Sequence, residues 1–197
     1  MASLRICSYK RSGTHLLMAY IYHNFNIGSG YERIMRIKDQ QWSGTGTEEA
    51  VVPWARLFGS HHPLNEIPKL NRKDILYIYR NPINCLYSNW RFFGVGTFSD
   101  WITVVNILNW KQHVIDYRRC CFSIRYEDLC NNPITILKII QKQFKLKRRQ
   151  IEDWIKIKVP IGWTPRKKFT DHLIGDRERQ LIIETLDPEF MEELGYA

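Results

Sequence analysis

The run Leu4-Arg5-Ile6-Cys7-Ser8-Tyr9-Lys10-Arg11-Ser12-Gly13-Thr14-His15-Leu16-Leu17 constrains the fold more than any other stretch of the chain. A short apolar, strand-like piece enters a turn that carries two cations, a serine, a glycine and a threonine. A helix-like apolar run, Leu16 to Phe25, leaves it. The order this predicts is strand, anion-binding loop, helix. The first N–H groups of a helix have no intrahelical acceptor and sit at the positive end of its dipole, so a phosphate fits there. Ser12, Thr14 and His15 can add side-chain donors. The spacing is not G-x-x-x-x-G-K-[ST], which argues against the cradle of an ATPase or kinase. An ordinary strand-to-helix turn with capping residues has the same composition, so the remainder of the chain has to decide between them.

A chain of 197 residues is long enough for one domain with a sizeable core, and a single domain over residues 1–197 is expected. Twenty-nine Lys and Arg against 20 Asp and Glu leave a net charge of +9, which suits a polyanionic ligand, a nucleic acid or an anionic membrane surface. The densest basic run, Lys145-Leu146-Lys147-Arg148-Arg149, reads as a solvated helix start or connection. The five cysteines form an odd set without a C-x-x-C pair, and adjacent Cys120 and Cys121 are poorly spaced for a disulfide or zinc, so reduced thiols are expected. The N-terminus has no apolar leader and no segment reaches about 18 continuous apolar residues. A soluble cytoplasmic protein without a membrane span is the expectation.

Further along, Ile27 to Gly46 is rich in Gly, Ser and Thr and reads as a loop region. Pro53 to Pro68 carries His61-His62. Neighbouring histidines do not share a helix face and no third ligand lies at usable spacing, so no metal site is expected. Ile75-Leu76-Tyr77-Ile78-Tyr79 has the composition of a strand buried on both faces, as in a parallel sheet. Arg80-Asn81-Pro82 follows, and proline at a first helical position opens a helix through Phe93. Arg80 therefore lies at the C-terminal edge of a strand, where open α/β sheets bind ligands, with Ser88 about two turns into the helix. Ser99-Asp100 is expected to cap a long helix through Arg118. Cys121 to Ile124 is a third short strand, and Asn132-Pro133 opens another helix. The remainder reads as helical except for Lys158 to Thr170, broken by Pro160, Gly162 and Pro165. Strands alternating with helices predict an α/β protein of three layers, α/β/α, around a central parallel sheet.

Five stretches along the chain resemble the nucleotide-dependent sulfotransferase family, whose donor is 3′-phosphoadenosine-5′-phosphosulfate (PAPS). Tyr9 to His15 resembles the family's 5′-phosphosulfate loop, usually Y-P-K-S-G-T-T-W. Tyr79 to Ser88 resembles its 3′-phosphate motif, an R-N-P with a serine eight residues after the arginine. Ser60-His61-His62-Pro63-Leu64 resembles the segment that carries the general base. Trp110 to Val114 and Arg125-Tyr126-Glu127-Asp128-Leu129 match two further stretches. Three departures stand out: Arg11 replaces the loop lysine with Lys10 in place of the preceding proline, Leu16 stands where many members stack a tryptophan on adenine, and the C-terminal R-K-G loop has only scattered counterparts in Ile161-Gly162-Trp163 and Arg166 to Thr170.

The resemblance implies a P-loop-like phosphosulfate-binding loop and a transfer of the sulfuryl group from PAPS to an acceptor hydroxyl or amine, with no metal. It implies His61 as general base and Arg11, or Lys10 in its stead, as the cation at the leaving oxygen. PAPS would be held by Lys10, Arg11, Ser12, Gly13, Thr14, His15, Arg80, Ser88, Tyr126, Arg166 and Lys167, leaving PAP after transfer. The acceptor would be a small molecule or saccharide, with Trp42, Trp54 and Phe93 able to stack on a ring or to serve as local core. A non-catalytic nucleotide- or nucleic-acid-binding module is the competing expectation; the chain lacks the interleaved basic and aromatic pattern of a single-strand binder.

Overall fold

The structure, a computed structural model, describes residues 4–26, 57–61, 63–66, 72–155 and 174–196. The loop region 27–46, Trp54, His62 and the segment 158–170 with Arg166 and Lys167 lie outside the described residues. Four strands form one parallel sheet: β1 (Leu4–Cys7), β2 (Leu57–Ser60), β3 (Ile75–Tyr79) and β4 (Phe122–Arg125), in the order β2-β1-β3-β4. The register pairs Cys7 with Ser60 on one side and with Tyr77 on the other, and Tyr79 with Arg125. All four C-terminal ends therefore meet one edge. β3 is buried throughout, as its unbroken run of β formers predicts. β2 is a strand that its own sequence, Leu-Phe-Gly-Ser, does not announce.

Alternate residues of the central strands feed two cores. Leu4, Ile6, Leu76 and Ile78 pack with α1 (Thr14–Asn24), α5 (Tyr126–Asn131) and α6 (Pro133–Phe144) on one face. Cys7, Ile75, Tyr77 and Tyr79 pack on the other with α2 (Pro82–Phe93), α3 (Phe98–Trp101), α4 (Val104–Arg118), α7 (Asp176–Leu186) and α8 (Pro188–Glu193). The pleat alone produces this division, since successive side chains point to opposite faces. The result is the expected α/β/α sandwich.

Helix starts follow their capping chemistry. Asn81 Oδ1 accepts from the N–H groups of Ile83 and Asn84 at 3.0 and 3.3 Å, ahead of Pro82 at the first helical position. The expected helix from Ser99-Asp100 through Arg118 is instead two helices. Thr97 caps α3 in a capping box with Asp100, the chain extends at buried Ile102, and Thr103 caps α4. Ser99 is not a cap; its hydroxyl donates to Glu178 on α7. The break arises because the Thr103 hydroxyl offers the Asn106 N–H a local acceptor that competes with helix continuation.

A second correction concerns the chain after α6. Lys145 ends that helix in the left-handed conformation (φ 51), and the stretch to Ile155 is irregular rather than helical. It is tied to α1 by an isolated bridge between Phe25 and Arg148 and by fully buried Asn24. The Asn24 amide donates to the Ile155 carbonyl at 3.1 Å and accepts from the Ile155 N–H at 2.8 Å, acting as a strand partner. The basic run is thus a connection.

Ile78 is fully buried in the central strand between β1 and β4. Ile78→Ala is expected to cost about 2–5 kcal/mol, whereas Val95→Ala should stay within about 0.5 kcal/mol. Urea unfolding followed by circular dichroism checks both, and an Ile78→Ala chain as stable as wild type would remove β3 from the core.

Candidate active site

The loop after β1 is built from buried polar groups. Ser8, Ser12 and Thr14 are all buried, as are Ser88 and Asn89 on facing α2. Ser8 and Thr14 share a hydrogen bond between their hydroxyls. Ser12 Oγ lies 3.3 Å from Cys85 Sγ, and the Cys85 thiol is within 3.2 Å of the Lys10 carbonyl. Arg11 and Gly13 adopt left-handed backbone, φ 68 and 98. Alternation into that conformation is how consecutive N–H groups come to line a concave anion site. For Arg11 it costs roughly 1–2 kcal/mol. Among the described residues no side chain caps the N-terminus of α1, whose first-turn N–H groups suit an acceptor of negative charge.

Gly13 is required here for a second reason. A Cβ at this position would run into the Tyr126 ring, which packs against the loop from the start of α5. The Arg80 guanidinium in turn lies 4.8 Å above that ring, and its Nη1 donates to the Arg11 carbonyl at 3.3 Å. Arg11 Nε donates to Ser88 Oγ at 3.3 Å. Desolvation first, and the nearby Arg80 charge second, push the Arg11 pKa down. Two like charges held this close favour an anion between them. The Arg11 and Lys10 cations rest over Phe92 and Phe93, 4.5 and 5.2 Å from the ring centroids.

His61 follows β2 at the same edge. Its Nδ1 lies 3.0 Å from the Ser8 carbonyl and 3.1 Å from the Ser8 hydroxyl. A carbonyl only accepts, so Nδ1 carries a proton, and in the neutral ring the lone pair is then on Nε2. His15 sits half-buried in the first turn of α1.

Arg11, Ser12, Gly13, Thr14, His61, Arg80, Ser88 and Tyr126 thus gather at one edge of the sheet, where β1 lies beside β3. The chain winds from β1 to β2 in one direction and to β3 and β4 in the other, so this is the topological switch point. The Lys10 side chain is turned to the rim beside Phe93. Sequence reasoning missed Ser8, which holds His61, and Cys85, which ties down the loop. The signal for Cys85 was its place at i−3 from Ser88, on the same face of α2.

Fold and local geometry define an α/β protein with a P-loop-like loop after β1 and Arg80 beside it. Residues 3–157 match the sulfotransferase domain model, and the chain belongs to that family. No significant match was found among curated protein sequences. Among solved structures, the fold is similar to a mouse sulfotransferase complexed with PAP, at 16% identity and a TM-score of 0.52, covering 97% of this chain and 66% of that one. It is also similar to retinol dehydratase in complex with androsterone and inactive cofactor PAP, at 14% identity and a TM-score of 0.55, covering 98% and 66%. The retinol dehydratase complex with retinol and PAP gives the same identity and TM-score, with 98% and 69% covered. The chain spans about two thirds of the length of these proteins.

Two predictions follow from the cradle. Gly13→Ala combines left-handed backbone with the Tyr126 clash, so anion protection of the loop, measured as the rise in melting temperature with added PAP, should be lost; an unchanged rise would mean the loop does not bind the anion. Separately, burial pushes the Cys7 and Cys85 thiols from an ordinary 9.0 up to about 11. The folded chain holds these protons more tightly than the unfolded one, so their contribution to stability is complete below the unfolded value and is lost as pH rises through the folded one. Melting temperature should hold up to pH 9 and decline towards pH 11, with a shallower decline in Cys85→Ser.

Proposed function

We propose that this protein is a sulfotransferase that moves the sulfuryl group of PAPS to the hydroxyl of an apolar small-molecule acceptor. The observation that carries the reading is the convergence of the phosphosulfate-type loop, the Arg80 and Ser88 pair and His61 on one sheet edge. The residues present fit such a donor: buried hydroxyls, an uncapped helix start and two like-charged guanidiniums make a site for two separate anionic groups. When bound, PAPS supplies an activated sulfuryl group whose bond to the bridging oxygen breaks as the acceptor oxygen bonds to sulfur. The products are PAP, the sulfated acceptor and one proton.

Each side chain then has a physical task. The loop N–H groups with Ser12 and Thr14 hold the 5′ group, while Arg80 and Ser88 hold the 3′-phosphate and set PAPS apart from ATP. His61, with Nδ1 committed to Ser8, takes the acceptor proton at Nε2. Arg11 offsets charge building on the bridging oxygen, the positioning-and-electrostatics logic of phosphoryl transfer. Tyr126 supports Arg80 from below. Lys10, His15, Arg166 and Lys167 complete the proposed donor contacts, as the family resemblance implies.

The acceptor side is marked by Phe92 and Phe93, 64% and 56% exposed, with Val95 beyond them. Exposed aromatics at the rim of a charged cradle favour an apolar or aromatic alcohol over a saccharide, which would ask for hydrogen-bonding groups. The retinol and androsterone in the complexes of retinol dehydratase support the same choice.

Incubation with labelled PAPS and a panel of phenols, apolar alcohols and saccharides tests the reading; absence of transfer together with absence of PAP binding would end it. His61→Ala is expected to bind PAP normally while kcat falls about 10²–10⁴-fold. Arg11→Ala should lower kcat about 10²–10³-fold, with Arg11→Lys recovering most of it and Lys10→Ala changing kcat little. Loss on Lys10→Ala without loss on Arg11→Ala would transfer the leaving-group role to Lys10.

A further inference from the structure

Glu127 is an acid placed at the edge of an anion site, and both of its carboxylate oxygens are engaged. Oε1 accepts from the Asn81 backbone N–H at 3.0 Å, and Oε2 accepts from the Tyr196 hydroxyl at 2.8 Å. A carboxylate cannot be a phosphate ligand and would repel one, so its effect on the site has to pass through the groups it holds. Those groups are the ones beside Arg80. Asn81 follows Arg80 directly and caps α2, while Tyr126, which precedes Glu127, lies beneath the Arg80 guanidinium. The first turn of α5 thus grips Arg80 at both ends, through the ring under its head and the carboxylate on the next peptide N–H.

Tyr196 locks this arrangement from the far end of the described chain. Its ring packs edge-on against Tyr79 and lies near Arg125, whose Nη1 donates to the Gly195 carbonyl at 2.9 Å. Burial first, and the Glu127 charge second, push the Tyr196 phenol up, so its hydroxyl remains a donor.

We infer that Glu127, held by Tyr196, is a positioning residue for recognition of the nucleotide's 3′-phosphate. It fixes the Arg80-Asn81 backbone so that Arg80 and the α2 start face a phosphate monoester together. The inference rests on the proposed use of PAPS and adds to it a determinant of selectivity that touches no ligand. A charged acceptor on a backbone N–H is one of the stronger hydrogen bonds available for such a task.

The test is calorimetric binding of two nucleotides, adenosine 3′,5′-bisphosphate and adenosine 5′-phosphosulfate, of which only the first carries the 3′-phosphate and only the second the sulfuryl group, each compared between wild type and variant. Glu127→Ala should weaken the bisphosphate about tenfold and leave the phosphosulfate within about twofold. Glu127→Gln keeps an oxygen for the Asn81 N–H and should restore most of the preference. Tyr196→Phe removes one hydroxyl and should shift the preference in the same direction by about threefold. Equal weakening of both nucleotides in these variants, as a general loosening of the fold would give, or no weakening in any of them, overturns the inference. A wild-type chain that binds neither nucleotide overturns the PAPS reading along with it. A wild-type chain that prefers the bisphosphate, with Glu127→Ala sharing that preference in full, overturns the positioning role alone.

Discussion

The parallel pairing of β1 with β3 is the constraint on which the rest of the site depends. Cys7 faces Tyr77 in register, so the loop that leaves β1 and the Arg80-Asn81-Pro82 turn that leaves β3 emerge side by side. Because the chain goes outward to β2 in one direction and to β4 in the other, no crossover helix among the described residues covers the gap between them. Two helices then start at that gap, α1 and α2, and their N-termini add fixed partial positive charge to Arg11 and Arg80. β2 and β4 deliver His61 and Tyr126 to the same edge by the same register. One pairing decision in the sheet therefore sets which residues meet, although Arg11 and Arg80 lie 69 positions apart in the sequence.

What this arrangement costs shows what it is for. Left-handed backbone at Arg11, three buried hydroxyls in one loop and two guanidiniums close together are each unfavourable beside an ordinary strand-to-helix turn. The loop is over-determined by cross-links that offset these costs: Ser8 to Thr14 and His61, Ser12 and Lys10 to Cys85, Arg11 to Ser88. Such strain concentrates at functional sites, where a preorganised set of donors avoids rearrangement when charge develops.

Legibility in the sequence tracked how local each feature is. β3 and α2 could be read because Ile75 to Tyr79 is an unbroken run of β formers and Asn81-Pro82 is a helix start by its own chemistry. β2 could not, since four residues with a glycine become a strand only through pairing with β1. The single helix expected from Ser99 to Arg118 failed at Ile102-Thr103, where burial of one side chain and a local cap outweighed the apolar period. In the site, Arg80 and Ser88 were visible as a fixed spacing, an arginine at a strand end and a serine in the helix that follows it. The bond from Ser8 to His61 spans 53 positions and that from Ser12 to Cys85 spans 73, and no pattern within a stretch reports such contacts. Glu127 was visible only as part of a matched motif, without a role.

The exposed aromatics of α2 bear on how the loop cations are held. A cation over an exposed ring is worth about 0.5–1 kcal/mol, while charge-assisted hydrogen bonds to phosphate oxygens are roughly twice as strong as neutral ones. The contacts of Arg11 with Phe92 and of Lys10 with Phe93 therefore orient the two cations without competing with an anion for them. Phe92 is four residues beyond Ser88 and one turn along the same face of α2, so the helix that carries the serine proposed for the 3′-phosphate also carries the exposed aromatic edge proposed for the acceptor. The proposed donor and acceptor sides are thereby carried on one helix, and a change in the tilt of α2 at its Asn81 cap would move both.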